Sequence, residues 1–236
     1  MSLSSIAAAL GMTSDDLSAL GLSFCVAALA SVAVVLTATP LAWYVAKRPN
    51  RFSGILIALG SLPLVMPPTV TGYALLVILG RNGLVGRFLE RTFGYVLVFH
   101  WTGAVLAAAV CSFPLYFLTA RAAFAGVEPN FEQAARMMGC REIDVFRRIT
   151  VPLALPGLTA AFLLGFVRAL GDFGATLMVA GNIPGRTQTA AMALYDAAIL
   201  GEAARARNLA AMLSVVALAA LWFAGRTPAA RFPDRI

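Results

Sequence analysis

Glu132-Gln-Ala-Ala-Arg-Met-Met-Gly-Cys-Arg-Glu-Ile-Asp-Val-Phe-Arg-Arg-Ile-Thr-Val-Pro152 is a charged, helix-forming stretch set between very apolar ones. Charge at this density is not tolerated in a hydrocarbon core, so the stretch lies outside the bilayer. Phe131, Ala134, Ala135 and Met138 recur at i, i+3, i+4 and i+7, which predicts one apolar helix face. Pro129 suits the first helical turn, and Glu128 and Glu132 sit where the helix dipole favours negative charge. Glu132 and Arg136 are spaced as an i,i+4 ion pair. Gly139 can end the helix in a left-handed conformation. A second stripe follows at Val145, Phe146 and Ile149, and Pro152 opens the next element. A short amphipathic helix with small Ala134 and Ala135 on one face suits docking into a groove of another protein. Contact with lipid headgroups is the plainer alternative.

Working outward, the flanks are membrane-like. The 236-residue chain is 60% hydrophobic and 12% charged, with mean hydropathy +0.84. Uncharged runs cover Leu17–Ala46 (30 residues), Phe52–Gly80 (29), Thr92–Ala120 (29), Ile149–Val167 (19) and Asn208–Gly225 (18). A crossing needs about 20 residues, so each run spans once. The fold class is therefore all-α: a polytopic transmembrane bundle of five spans, one domain over 1–236 with a water-side loop at 128–149. In 171–207, Asp172, Arg186, Asp196, Glu202, Arg205 and Arg207, with several glycines, interrupt every run. That predicts a surface loop carrying a partly inserted helical piece, shielded by protein or facing a water-filled cavity. A sixth span at about 187–205 is the alternative and would bury several charges.

Basic residues set the orientation. Lys47, Arg48, Arg51, the five arginines of the central loop, and Arg226, Arg231 and Arg235 give eleven on one side, against six on the other. The expected topology has the N-terminus outside and the C-terminus cytoplasmic. The formal charge of +7 is scattered through loops and does not point to nucleic acid. Cys25, Cys111 and Cys140 are far apart and read as small packing residues rather than a metal site or disulfide framework. No basic segment precedes the first apolar run, so a cleaved signal peptide is not expected.

Few residues can carry chemistry. Pro63, Pro67 and Pro68 break the second run, freeing carbonyls that need partners, and Thr69 and Thr71 can supply hydroxyls there. The break is either a packing kink or a stretch of the translocation pathway. Arg168 and Asp172 are four apart at the end of the fourth run. They form either a salt bridge that fixes a helix end or an anion-attracting feature of the pathway. His100, between Phe99 and Trp101, has the signature of an aromatic belt at the membrane edge. There is one histidine and no Gly-x-x-x-x-Gly-Lys phosphate loop, so neither a histidine-cluster metal site nor ATP hydrolysis by this chain is expected.

The central stretch resembles the EAA loop of permease subunits of ABC importers. Ala134, Ala135, Gly139, Ile149 and Pro152 match that pattern in register, while Gln133 stands for its Glu, with Glu132 just before, and Val151 for its Leu. Leu62–Tyr73, Ala104–Pro114 and Arg168–Asn182, extended through Thr189, resemble the molybdate permeases of the same superfamily, with Asp172 where those more often carry Glu. The resemblance implies a type I importer fold in a bacterial inner membrane. It implies that Glu132, Gln133, Ala134, Ala135, Gly139, Ile149 and Pro152 couple to an ATPase. Pro67, Pro68, Thr69, Thr71, Arg168 and Asp172 become candidates for the pathway. It further implies a homodimer, two cytoplasmic ATPase subunits that use the ATP, and an external molybdate-binding protein. No cofactor on this chain and no catalysis by it are expected. Sulfate, thiosulfate or tungstate are the alternative cargoes. A transporter outside this superfamily or a membrane enzyme is a more distant alternative, with no catalytic constellation to support it.

Overall fold

The computed structural model describes residues 13–226, and every regular element among them is helical. Residues 1–12, and Arg231 and Arg235 of the orientation argument, lie outside the described residues. The elements are α1 (Ser14–Lys47), α2 (Arg51–Val65), α3 (Pro68–Leu79), α4 (Leu84–Phe93), α5 (Trp101–Ala125), α6 (Pro129–Met137) and α7 (Glu142–Val145). A π-helical turn at Phe146–Thr150 leads into α8 (Val151–Leu170), followed by α9 (Gly174–Ala180), α10 (Ala190–Ile199) and α11 (Ala203–Arg226). Four continuous helices are long and apolar enough to cross a membrane: α1, α7 through α8, α5 and α11. The pair α2–α3, bent by 111° at Met66–Pro67, is apolar enough to make a fifth when its two halves are taken as one broken span. Pro67 cannot donate to the ladder and Pro68 is pre-set for a first helical turn, so one helix stops and another starts in a new direction.

The bundle packs on small residues. Ala27, Ala30, Val34, Ala38 and Ala42 of α1 are buried against Ala104, Ala108 and Ala120 of α5, with Ala154, Leu158 and Ala161 of α8 completing the core. Lipid offers an apolar side chain as good a home as protein does, so spans associate through close backbone approach rather than hydrophobic sequestration. Thr39 and Tyr116 add a hydroxyl–hydroxyl hydrogen bond of 2.6 Å between α1 and α5. The large apolar side chains of α2, α3 and α11, including Leu59, Val65, Tyr73, Val215, Leu218 and Phe223, point outward.

Two buried ion pairs fix which helix ends meet. At the start of α1, Asp16 takes the Arg205 guanidinium in a fork, Nε to Oδ2 at 2.9 Å and Nη2 to Oδ1 at 2.7 Å. The start of α11 therefore lies at the same end of the bundle. At the other end of α1, Lys47 Nζ is 3.0 Å from Glu132 Oε1 and 3.4 Å from the Val127 carbonyl, in the connection between α5 and α6. Five crossings satisfy both pairings, since an odd number puts the starts of α1 and α11 together.

The segment 171–207 holds the protein-shielded helical pieces expected of it, but more of it is interior than a surface loop would be, with exposure confined largely to 184–186 and 198–204. α9 and α10 are interior pieces: Ala175, Val179, Ala180, Ala190, Met192, Ala193 and Ala197 are all buried. Asp172 and Asp196, two of the charges that argued for the surface, are partnered within the protein, whereas Arg186, Glu202 and Arg207 are exposed as expected. Asp196 accepts from Asn182 Nδ2 at 2.8 Å and Gln188 Nε2 at 2.8 Å, and Ser23 Oγ of α1 accepts the Ala190 N–H at 2.7 Å. α10 stops at Ile199 and Gly201 adopts φ +76°, so 187–205 is not a continuous sixth span. Of the cysteines read as packing residues, only Cys111 is buried; Cys25 and Cys140 are exposed.

Candidate functional site

The sequence-predicted residues fall into two groups at different levels of the bundle. The first is built around α6. Pro129 occupies the first turn and Gly139 takes φ +80°, closing the helix as expected. The Cys140 N–H reaches the Ala135 carbonyl at 3.1 Å and the Gly139 N–H reaches that of Arg136 at 3.0 Å, which is the Schellman hydrogen-bond pattern. α7, the π turn and α8 then run on without interruption, with Pro152 just past the π turn inside the continuous helix.

The expected pairing within α6 is not formed. Glu132 turns inward to Lys47 and to Thr150, whose hydroxyl donates to Oε1 at 2.7 Å. Arg136 instead forks onto Glu142 of α7, Nε to Oε1 at 2.7 Å and Nη2 to Oε2 at 3.2 Å, and this carboxylate raises the guanidinium pKa further above its ordinary value. An exposed i,i+4 pair contributes only about 0.2–0.5 kcal/mol, too little to hold Glu132 outward against the half-buried Lys47 and the buried Thr150. Of the apolar face read from periodicity, Phe131, Ala134 and Met138 lie on the exposed side and only Ala135 turns inward. Glu132 and Ala135 point into the protein, whereas Phe131, Gln133, Ala134, Met137 and Met138 are exposed, Met137 at 85%. The second stripe behaves as read: Val145 is buried, and Phe146 packs edge-on against Trp43 of α1 with ring centroids 4.9 Å apart. Ile149 is half-buried behind it. The result is a rigid helical hairpin with an apolar, methionine-rich outer face.

The second group is the α2–α3 break and the α8–α9 junction, and the structure brings them together through α9. A Cβ on Gly174 would lie 3.1 Å from Pro68 Cβ, and one on Gly72 only 2.7 Å from Ala175 Cα. Glycine at both positions is what lets α3 and α9 touch. Thr71 is buried, while Pro67, Pro68 and Thr69 are exposed along the bend. Arg168 Nη1 bonds Asp172 Oδ1 at 3.1 Å, so the salt-bridge alternative is realised. Asp172 does more than that alternative required. It is buried, and its Oδ2 accepts from both the Thr176 N–H at 3.1 Å and the Thr176 hydroxyl at 2.7 Å, anchoring the first turn of α9. His100 caps α5 from its Nδ1, which also lies 2.7 Å from the Tyr95 hydroxyl, and its neighbours Phe99 and Trp101 are exposed as a belt requires. Among the described residues no three His, Cys, Asp or Glu side chains gather into a metal-binding group.

Lys47, Thr150 and the Asp16–Arg205 clamp were not found as interacting residues from sequence. The partners lie beyond the reach of helical periodicity, 18 residues apart for Glu132 and Thr150 and 189 for Asp16 and Arg205. The available signal was a charge at the tip of a span, which finds the residue but not its partner.

Comparison with known proteins agrees with this geometry. Residues 38–226 match the family described as binding-protein-dependent transport system inner membrane component. The chain is 41% identical over 181 residues to the molybdenum transport system permease protein ModB of Haemophilus influenzae, covering 77% of this chain and 79% of that one. It is 47% identical over 154 residues to the protein of the same name in Escherichia coli K12, covering 65% and 67%. In fold it is similar to a chain of the inward-facing MetNI methionine ABC transporter, with TM-score 0.66, 14% identity and coverage of 88% and 92%. A chain of a bacterial alginate ABC transporter, crystallised with its pentasaccharide-bound periplasmic protein, gives TM-score 0.68 at 14% identity, covering 93% and 81%. A family match over most of the chain, and relatives this similar over two thirds or more of their length, leave one assignment: the chain belongs to the binding-protein-dependent transport system inner membrane components.

Proposed function

We propose that this chain is the pore-forming subunit of an ATP-driven importer of molybdate. The observation that carries the cargo assignment is the 41% identity to a molybdenum transport permease across most of both chains. In this reading two copies form the pore and two ATPase subunits dock beneath them on α6. A binding protein outside delivers the tetrahedral oxyanion, and single-copy exposed apolar faces on α2, α3 and α11 meet lipid and the second copy. The end of the bundle that carries Lys47, Arg48, Arg51 and the α6–α7 loop is cytoplasmic by the positive-inside rule. The N-terminus then faces out and the C-terminus in, and the single domain runs over 1–236 with its coupling loop at 128–149.

The chemistry asked of this chain is positional. It binds no cofactor of its own and leaves ATP hydrolysis to its partner. The exposed Phe131, Met137 and Met138 offer the adaptable apolar surface that a groove in another protein accepts. Closure of the ATPases on ATP displaces α6, and α8, continuous with α7, carries that displacement to Arg168, Asp172 and the α9 contact with the Pro67–Thr71 bend. Opening of the bend admits the anion. The test is uptake of radiolabelled molybdate by proteoliposomes holding the permease, its ATPase and its binding protein. ATP-dependent uptake that tungstate competes and sulfate does not is the expected result. Uptake of sulfate with none of molybdate would move the assignment to a related oxyanion.

A further inference from the structure

Glu132 is out of character with its helix. Gln133, Ala134, Arg136 and Met137 are exposed, yet the one carboxylate of α6 is 4% exposed and holds partners from two other elements. Lys47 Nζ, from the last turn of α1, lies 3.0 Å from Oε1, and Thr150 Oγ1, from the π turn before α8, donates to the same oxygen at 2.7 Å. Lys47 also reaches the Val127 carbonyl at the entry to α6 at 3.4 Å. A buried ion pair contributes little net stability, because desolvation offsets most of the attraction, but it fixes the positions of the groups that form it. Here it fixes three elements at one point: α1, α6 and the joint of α8. That joint is a π turn, a widened geometry that recurs at functional positions in helices.

We infer that Lys47, Glu132 and Thr150 form a strut that makes α6, the end of α1 and the start of α8 move as one body. This rests on the reading of α6 as the ATPase docking helix and deepens it. Lys47 and Glu132 are positioning residues: they touch neither cargo nor nucleotide and act by passing the displacement of α6 to two spans at once. Without the strut, α6 still docks through its outer face, but its motion is absorbed by the Gly126–Glu128 connection instead of moving α1.

The experiment measures molybdate taken up per ATP hydrolysed in the reconstituted complex, alongside retention of the ATPase during purification. Lys47→Met removes the cation, and Lys47→Met/Glu132→Gln removes both charges, so that a folding failure caused by a lone buried carboxylate is kept apart from uncoupling. Lys47→Arg keeps a cation within reach of the carboxylate. The expected result is ATPase retained in all three, transport per ATP lowered about fivefold in the single and double variants, and near-normal coupling in Lys47→Arg. A normal ratio in the double variant would show that the pair only neutralises itself and would overturn the inference. Met137→Glu, on the exposed face, tests the underlying reading separately. Full retention of the ATPase by that variant would overturn docking through α6, and the strut with it.

Discussion

Replacing Asp16 with Ala removes the buried anion that joins the start of α1 to the start of α11. Its side chain is fully buried, takes the Arg205 guanidinium in a fork, and accepts the Thr13 N–H at 2.8 Å as half of a capping box. Breaking a buried pair by removing one partner costs about 3–5 kcal/mol, and losing an N-cap interaction about 1 kcal/mol. Two features hold the total near the lower figure: Arg205 retains Glu202 at 2.8 Å, and it keeps some solvent contact at the bundle end. About 3 kcal/mol in a chain of this size corresponds to roughly 6–12 °C in Tm. The assay is thermal unfolding of the purified complex followed by size exclusion, with Asp15→Ala as control. Asp15 is exposed in the same helical turn, so its loss should change stability by less than about 0.5 kcal/mol. Equal Tm values for the Asp16 and Asp15 variants would refute the clamp as a stabilising contact.

Gly72→Val should separate α3 from α9, since even a Cβ would stand 2.7 Å from Ala175 Cα and 2.9 Å from Met178 Cβ; a loss of about 1–3 kcal/mol in thermal unfolding is expected, against none for Gly54→Val, which faces open space. Gly139→Val meets no neighbour within 4 Å but must hold φ +80°, costing about 1–2 kcal/mol at the loop alone, so permease yield should persist while ATPase copurification falls. Ala134→Glu, on the exposed side of α6, should weaken ATPase copurification without lowering permease yield, whereas Ala135→Glu, at a fully buried site, should lower the yield itself. Exchanging Arg168 and Asp172 should reduce assembled complex, because arginine at 172 cannot accept the two Thr176 hydrogen bonds; Asp172→Asn keeps an acceptor there and should assemble better than the exchange.

The spans were legible because each is an uninterrupted apolar run, and charge marks its ends wherever the chain crosses. The bend was legible at Pro67 and Pro68, which act locally, whereas Pro63, read as part of the same break, lies inside α2 without ending it. Gly139 was readable because a left-handed helix end has a strong residue preference. The failures share a cause. The extent of the interior part of 171–207 was missed because Asp172 and Asp196 were read as charges needing water, whereas Thr176, Asn182 and Gln188 partner them within the protein. Glu132 was assigned to Arg136 by spacing, and Lys47, 85 residues upstream, was invisible to any local rule. The inward and outward faces of α6 were mixed because alanine is compatible with both.

The same logic explains why this bundle needs ion pairs that add little net energy. The contacts of α1 with α5 are made largely of alanine at helical spacing, and such a ridge fits its groove almost as well after a slip of one turn. Asp16 and Lys47 stand at opposite ends of α1, about 45 Å apart at 1.5 Å per residue. A slip of about 5.4 Å would carry both beyond hydrogen-bonding reach of Arg205 and Glu132 and leave Asp16, Lys47 and Glu132 without their ion-pair partners, while Arg205 keeps Glu202. Small residues therefore permit the helices to approach, and the two pairs, with the Thr39–Tyr116 hydrogen bond between α1 and α5, fix the height of α1. Only one of the pairs sits on the helix proposed to receive the ATPase.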